Sequence, residues 1–253
     1  INYSLNNYDN RFSLYDINIF SENFNGNIIA FNRPISVSQV SCSQLKPFVN
    51  QNEFKNQRAL IIGGSRGLGE MTAKLLSIGG AQVMLSYNKG KKDCLNVTDE
   101  INSNGGYSTS IHLNILDNNF KYFDSLESNQ LPTHIYYYPT PFIFSGSKGN
   151  YSEKLFNNFS KFYVGGFYNL VNYFINKNVL NYFYPSTVAL DDFSADMLEY
   201  TLAKSSGEKL CEFFKYRFED INLYSTKLPR LATDQTVSLF PVKNESPEKV
   251  ILN

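Results

Sequence analysis

The chain has no tryptophan, only three cysteines and two histidines, and no excess of either charge: 23 basic residues balance 23 acidic ones. Each shortage removes a class of function. With a sequence pI of about 6.9, nothing favours nucleic acid or an anionic membrane surface. Cys42, Cys94 and Cys211 are far apart and odd in number, so reduced thiols are expected, and neither a disulfide frame nor a metal site. That usage fits a cytoplasmic protein. His112 and His134 each sit inside an apolar, strand-like run, where a buried, hydrogen-bonded imidazole is expected in preference to a ligand. No apolar run approaches membrane-spanning length. The first residue is isoleucine, and the expectation is a processed chain or, preferably, a piece of a longer polypeptide.

What is present centres on Arg58 to Gly69, Arg-Ala-Leu-Ile-Ile-Gly-Gly-Ser-Arg-Gly-Leu-Gly. Ala59 to Ile62 form the apolar run of a buried parallel strand. Gly63, Gly67 and Gly69 follow, and Glu70 to Ile78 takes up helical periodicity. Strand, glycine turn and helix together make a phosphate cradle, because glycines let the backbone turn sharply and helix N-terminal amides meet the negative charge. From Arg58 onward strands and helices alternate. Strands are expected at 81–87, 108–113, 134–138, 181–184 and 221–228, and long helices at 152–176 and 199–218. This predicts an α/β fold, a doubly wound parallel sheet in the order 3-2-1-4-5-6.

Residues before Gln57 stand outside that pattern. Phe12, Leu14, Ile17 and Ile19 lie in one β-rich stretch and Ile28, Ile29 and Phe31 in a second, with Asn25-Gly26 as the turn signal. A β-hairpin is expected from about Arg11 to Asn32, then a linker or short helix from Arg33-Pro34 to Asn56. Two units follow: 1–56, an N-terminal extension that is either an arm packing on the body or a partner subunit, or the end of an upstream domain; and 57–253, the nucleotide-binding domain with its active site built in. The segment Asn25 to Pro34 is similar to the closing strands of hot-dog acyl-thioester domains.

The glycine spacing, together with Tyr200-Thr-Leu-Ala-Lys204 on the last long helix, resembles the short-chain dehydrogenase/reductase family. The resemblance spans about Arg58 to Asp234. It implies a Rossmann-type fold and hydride transfer between NADP(H) and a carbonyl or secondary alcohol; if the N-terminal hairpin ends an acyl-thioester domain, 3-oxoacyl thioesters become the natural substrates. A free tyrosine, with a pKa near 10, exchanges protons poorly at neutral pH; a lysine one turn later lies on the same face and stabilises the phenolate. Tyr200 would be the proton donor, and Lys204 would tune it and hold the ribose. Thr187, thirteen residues before Tyr200, or Ser186 would position the substrate oxygen, Thr187 being preferred on spacing.

For the cofactor, Gly63, Ser65, Arg66, Gly67, Leu68 and Gly69 form the phosphate loop. Where an NAD enzyme places an acidic residue after the second strand, this chain has Tyr87-Asn88-Lys89, followed by Lys91 and Lys92. With Arg66 in the loop, these favour the 2′-phosphate of NADP(H), with NAD(H) second. By the resemblance, Asn114 and Ile115 lie at the adenine, Pro139 follows the fourth strand, and Pro229 and Thr233 contact the nicotinamide end. Arg230 replaces the family's glycine and is either structural or meets an acidic group.

Two departures stand out. Tyr138-Pro139-Thr140-Pro141 occupies the place of Asn-Asn-Ala-Gly, and Phe162 stands near the asparagine that organises the family's proton-relay water. They motivate an alternative, a catalytically silent nucleotide-binding scaffold or sensor. The pattern of Glu208 after Tyr200 and Lys204 is also similar to the family's extended branch. An epimerase or dehydratase of that type comes third, since the chain is short for it. The aromatic faces of the two long helices exceed what one sheet face buries, which suggests a homo-oligomer.

Overall fold

The computed structural model describes residues 1–9, 14–31, 39–146, 150–192, 196–233, 236 and 244–251. Arg11, Phe12, Asn32, Arg33, Pro34 and Asp234 lie outside them.

The N-terminal extension is a three-stranded antiparallel sheet in the order β1 (Asn2–Asp9), β2 (Leu14–Ser21), β3 (Phe24–Phe31). The expected hairpin gains a strand, and its turn falls at Glu22-Asn23. Asn25-Gly26 is inside β3, paired with Phe20 and Ile19. The observed register explains the shift: it brings Asn27 to Asp16 and Asn18, and Asn6 to Asp16, in one polar network. Strand alternation then puts Tyr3, Leu5, Tyr8, Tyr15, Ile17, Ile19, Phe24 and Ile28 together on the other face. A turn at Asn25-Gly26 would break this pairing, and side-chain register outweighs local turn propensity.

The segment after residue 38 is anchored. Helix α1 (Cys42–Leu45) opens with a capping box between Ser41 and Gln44. The Cys42 amide donates to Glu100 at 2.8 Å, and the buried Lys74 ammonium bridges Glu70 (2.7 Å) and Glu100 (2.8 Å). Burial alone would raise the Glu100 carboxyl, but Lys74 and the Cys42 amide outweigh it and hold the group low.

The main sheet has the predicted topology. Parallel strands run β6 (Tyr107–His112), β5 (Gln82–Tyr87), β4 (Arg58–Ile62), β7 (His134–Tyr137), β8 (Asn181–Thr187), β9 (Asn222–Leu228), the order 3-2-1-4-5-6. Helices α2 (Gly67–Ile78) and α3 (Lys91–Ser103) follow β4 and β5. The long helix after β7 comes in three pieces: α4 (Glu153–Ser160), a π-helical turn (Lys161–Gly166) and α5 (Phe167–Ile175). A short α6 (Ala189–Asp192) precedes α7 (Leu198–Arg217), and α8 (Pro247–Ile251) ends the described chain. The core on the α4–α7 side is dense in aromatics, with Tyr137, Phe159, Tyr163, Phe167, Phe174, Tyr184 and Phe214 all buried.

The histidines depart from expectation. His112 is exposed, because β6 is the sheet edge, and lies edge-on to Tyr87 at 5.5 Å. His134 is half-buried, bonded through Nδ1 to Thr133 Oγ1 at 2.9 Å. All three cysteines are free and buried. Among the described residues, no helix is long and apolar enough to cross a membrane.

Candidate active site

The glycine loop joins β4 to α2, and its geometry demands the glycines. Gly63 has φ +78° and Gly67 φ +58°, the left-handed region that disfavours side chains. At Gly69 the constraint is space: a Cβ there would stand 2.2 Å from the Gly63 carbonyl oxygen. Ser86 braces the turn, its hydroxyl accepting from the Gly63 amide (3.1 Å) and its carbonyl from the Gly64 amide (3.0 Å). No side chain caps the start of α2, which leaves its first-turn amides directed at the loop, the arrangement that takes an anion.

Other predicted cofactor residues surround this loop. A Cβ at Gly63 would touch the backbone of Tyr138 and Pro139 at 3.3–3.4 Å, and one at Gly67 would meet Thr233 at 3.6 Å. Pro139 and Thr233 therefore border the cradle, with Ser65 and Leu68 half-buried within it. Arg66 is exposed and lies 3.5 Å from Asp93 at the start of α3. Tyr87 is half-buried and Asn88 and Lys89 are exposed after β5. Asn114 turns inward on its own loop, its Oδ1 accepting from the Leu116 amide and its Nδ2 donating to Asp117 at 2.8 Å, while Ile115 belongs to the core. Pro229 is half-buried at the end of β9. Arg230 is structural. It donates to Asn244 Oδ1 (2.8 Å) and the Thr236 carbonyl (3.0 Å) and lies over the Phe144 ring at 4.8 Å, tying three segments together.

The catalytic candidates meet where β8 ends and α7 begins. The Tyr200 phenol lies beside Thr187; burial raises its pKa and the neighbouring Thr187 hydroxyl opposes the rise. Thr187 Oγ1 also accepts from the Ala189 amide at 3.2 Å. Ser186, inside the strand and buried, donates to Glu208 instead. The two hydroxyls thus separate: Thr187 faces Tyr200, and Ser186 braces α7. Lys204 is buried, donates to the Pro185 carbonyl at 2.6 Å, and lies 4.3 Å and 4.9 Å from the Tyr163 and Tyr184 ring centres. Burial lowers its pKa to about 7.

The two departures are filled by tyrosines. Tyr138 packs against the core beneath α2 and bonds Thr72 at 2.7 Å. In the π-helical turn, the Phe162 carbonyl accepts from Tyr137 (2.6 Å) and the Tyr163 carbonyl from Tyr184 (3.1 Å). Tyr163 itself packs edge-on to Tyr200, ring centres 5.7 Å apart, and its hydroxyl bonds Thr140. Sequence reasoning missed Tyr163 and Asp93 as neighbours of the site, and took Glu208 only as part of the extended-branch pattern, not as a partner of Ser186. Glu208 had a legible signal, lying one turn beyond Lys204 on the same helical face; Tyr163, one of 18 tyrosines, had none. A separate open cavity of about 310 Å³, lined by Arg58, Gln82, Met84, Tyr107 and Tyr122 among others, lies at the N-terminal end of the strands. The cradle and Tyr200 lie at the C-terminal end, where ligands bind in doubly wound sheets.

No protein-family model and no curated protein matches the sequence. Solved structures do. A 3-oxoacyl-(acyl-carrier-protein) reductase from Agrobacterium tumefaciens with NADP bound is 16% identical at a TM-score of 0.63, covering 76% of this chain and 75% of that one. A short-chain dehydrogenase from Burkholderia cenocepacia in complex with NADP is 18% identical (TM-score 0.57, covering 72% and 77%). An alcohol dehydrogenase from the archaeon Thermococcus sibiricus complexed with 5-hydroxy-NADP is 15% identical (TM-score 0.65, covering 77% and 86%). At these identities the likeness establishes the architecture: from β4 to β9 the chain has the Rossmann-type fold of the short-chain dehydrogenases/reductases.

Proposed function

We propose that the chain is an NADPH-dependent reductase of ketones, with 3-oxoacyl thioesters the first substrates to test. The observation that carries this reading is the placing of Tyr200 beside Thr187, with Lys204 buried one turn on, at the same sheet end as a glycine loop in which Gly63 and Gly67 have positive φ and Gly69 has no room for a Cβ. The residues fit a dinucleotide: Gly63, Gly67 and Gly69 with the α2 amides would hold its pyrophosphate, and Arg66 and Lys89 its 2′-phosphate. When bound, it supplies a hydride for a carbonyl carbon. Thr187 would hold the carbonyl oxygen, and Tyr200, kept protonated by burial, would donate the proton to it. The solved reductases and dehydrogenases bound to NADP support the same choice. The exposed rings of Tyr168, Phe213 and Tyr216 support a homo-oligomer, and a cytoplasmic location and a fused upstream domain remain part of this reading.

One observation favours the silent-binder alternative: the Lys204 ammonium is engaged by the Pro185 carbonyl. Titrating the chain with NADPH and NADH by nicotinamide fluorescence, then assaying ketones and 3-oxoacyl thioesters, separates the two. The expected result is micromolar NADPH binding, weaker NADH binding, and turnover that falls by about 10³-fold in Tyr200→Phe with NADPH affinity unchanged. NADPH binding with no reduction across the panel supports the silent binder; no binding of either nucleotide defeats both.

A further inference from the structure

Lys204 is enclosed on every side. Pro185 takes one ammonium proton at 2.6 Å, and the faces of Tyr163 and Tyr184 cover the group at 4.3 Å and 4.9 Å. The titratable neighbours facing it are Tyr200, Glu208 and Cys211 on α7, Tyr184 on β8 and Tyr163 on the π-helical turn. Of these, Tyr163 alone touches both members of the Tyr200–Lys204 pair, its ring packing edge-on to Tyr200 and its face lying over the ammonium. Its own placement is over-determined. Phe159 stacks on it at 5.9 Å, Thr140 bonds its hydroxyl, and its carbonyl accepts from Tyr184. The π-helical turn makes this possible by adding a residue to the helical turn, which re-aims the side chain. The carbonyls of Phe162 and Tyr163 are both taken by phenols, so this wall of the site is built from aromatic rings.

We propose that Tyr163 is the positioning residue of the Tyr200–Lys204 pair: its ring holds the lysine as an ammonium beneath Tyr200 in a site that otherwise disfavours charge. The inference deepens the reductase reading and rests on it for its purpose, since a neutral lysine could not stabilise a Tyr200 phenolate. A ring face attracts a cation most strongly when water is excluded, and Lys204 is 7% exposed. The lowered Lys204 value, about 7, places the group where loss of one favourable contact empties its charged form at working pH.

The test is made on the nucleotide-free chain, so it does not depend on turnover. Lysines are labelled with ¹³C at Cε, and the Lys204 resonance is assigned by its absence in Lys204→Met. Its titration is then followed in Tyr163→Phe and in chains carrying mono-, di- and trifluorophenylalanine at 163, which keep the shape while draining the negative ring face. The titration midpoint is expected to hold in Tyr163→Phe and to fall stepwise with fluorine, by about one pH unit in all. Tyr163→Leu is expected to fall as far; if it does not fold, the near-isosteric series decides. A midpoint that stays flat or rises across the series overturns the proposal. A stepwise fall in a chain that reduces no ketone upholds the contact and counts against the reductase alone.

Discussion

At the proposed phosphate end of the cleft the constraints fall on the backbone. Gly63 and Gly67 have positive φ, Gly69 has no room for a Cβ, and Ser86 pins two successive amides. At the proposed catalytic end they fall on side chains. Tyr200, Lys204, Tyr163 and Tyr184 fix one another through a hydrogen bond and ring contacts, with Thr187 beside Tyr200, against a helix bent into a π-helical turn. Backbone constraints admit few residue types and so leave a motif; side-chain constraints can be met by many combinations. The second end can therefore lack the asparagines that the family resemblance implies while the first keeps its glycines.

The sharpest way to break this contrast is Gly69→Ala. Its methyl would lie 2.2 Å from the Gly63 carbonyl, and neither partner is a side chain that can swing aside. NADPH affinity is expected to fall by about 100-fold or more, on the order of 3 kcal/mol, with a lower melting temperature from the displaced turn. Fluorescence titration and thermal unfolding read both. Normal NADPH binding in Gly69→Ala would show that the loop is not the cradle.

The next effect belongs to the catalytic end. Lys204 has its pKa depressed from 10.5 to about 7 by burial. The unfolded chain therefore binds more protons between those values, and folding stability rises with pH across that window. The cost of the buried charge is fully present below about pH 7 and disappears above about pH 10. Lys204→Met removes this cost but leaves the Pro185 carbonyl without its donor. A net gain of about 2 kcal/mol is expected near pH 6, shrinking to nothing or reversing near pH 10, while reduction is lost. Denaturant melts at the two pH values measure it. A gain that is independent of pH would mean that Lys204 binds protons alike in the folded and unfolded chain, so that burial does not depress its pKa.

The same contrast explains what was legible. Strand order, the glycine turn and the nearness of Thr187 to Tyr200 followed from apolar runs, glycines and a fixed residue spacing, all of which are local. That Ser186 is held by Glu208 while Thr187 is not could not be read from spacing, because the partner comes from another element of the fold. The π-helical turn was hidden because Gly165-Gly166 reads as a weak point in a helix, and the contact that fills it comes from Tyr137 on a strand 25 residues earlier. In the N-terminal sheet the Asn25-Gly26 turn signal lost to pairing register, and the first strand went unseen because its asparagines depress strand propensity.

The smallest expected effect tests the side of the cradle that carries charge in place of shape. Arg66 supports NADP preference, but its guanidinium lies 3.5 Å from Asp93, with both side chains about half exposed. An exposed pair of this kind is worth a few tenths of a kcal/mol to about 1 kcal/mol, so Asp93 should compete only modestly with a 2′-phosphate. Asp93→Asn keeps a polar side chain in the first turn of α3 and removes the competitor. NADPH affinity is expected to rise about two- to fivefold at low salt and to match the parent chain near 1 M salt, where charges are screened beyond about 3 Å. NADH, which lacks the phosphate, should bind no better. An equal gain for both nucleotides would move the selectivity away from Arg66 and onto the lysines at 89, 91 and 92, which stand exposed where the loop after β5 runs into α3.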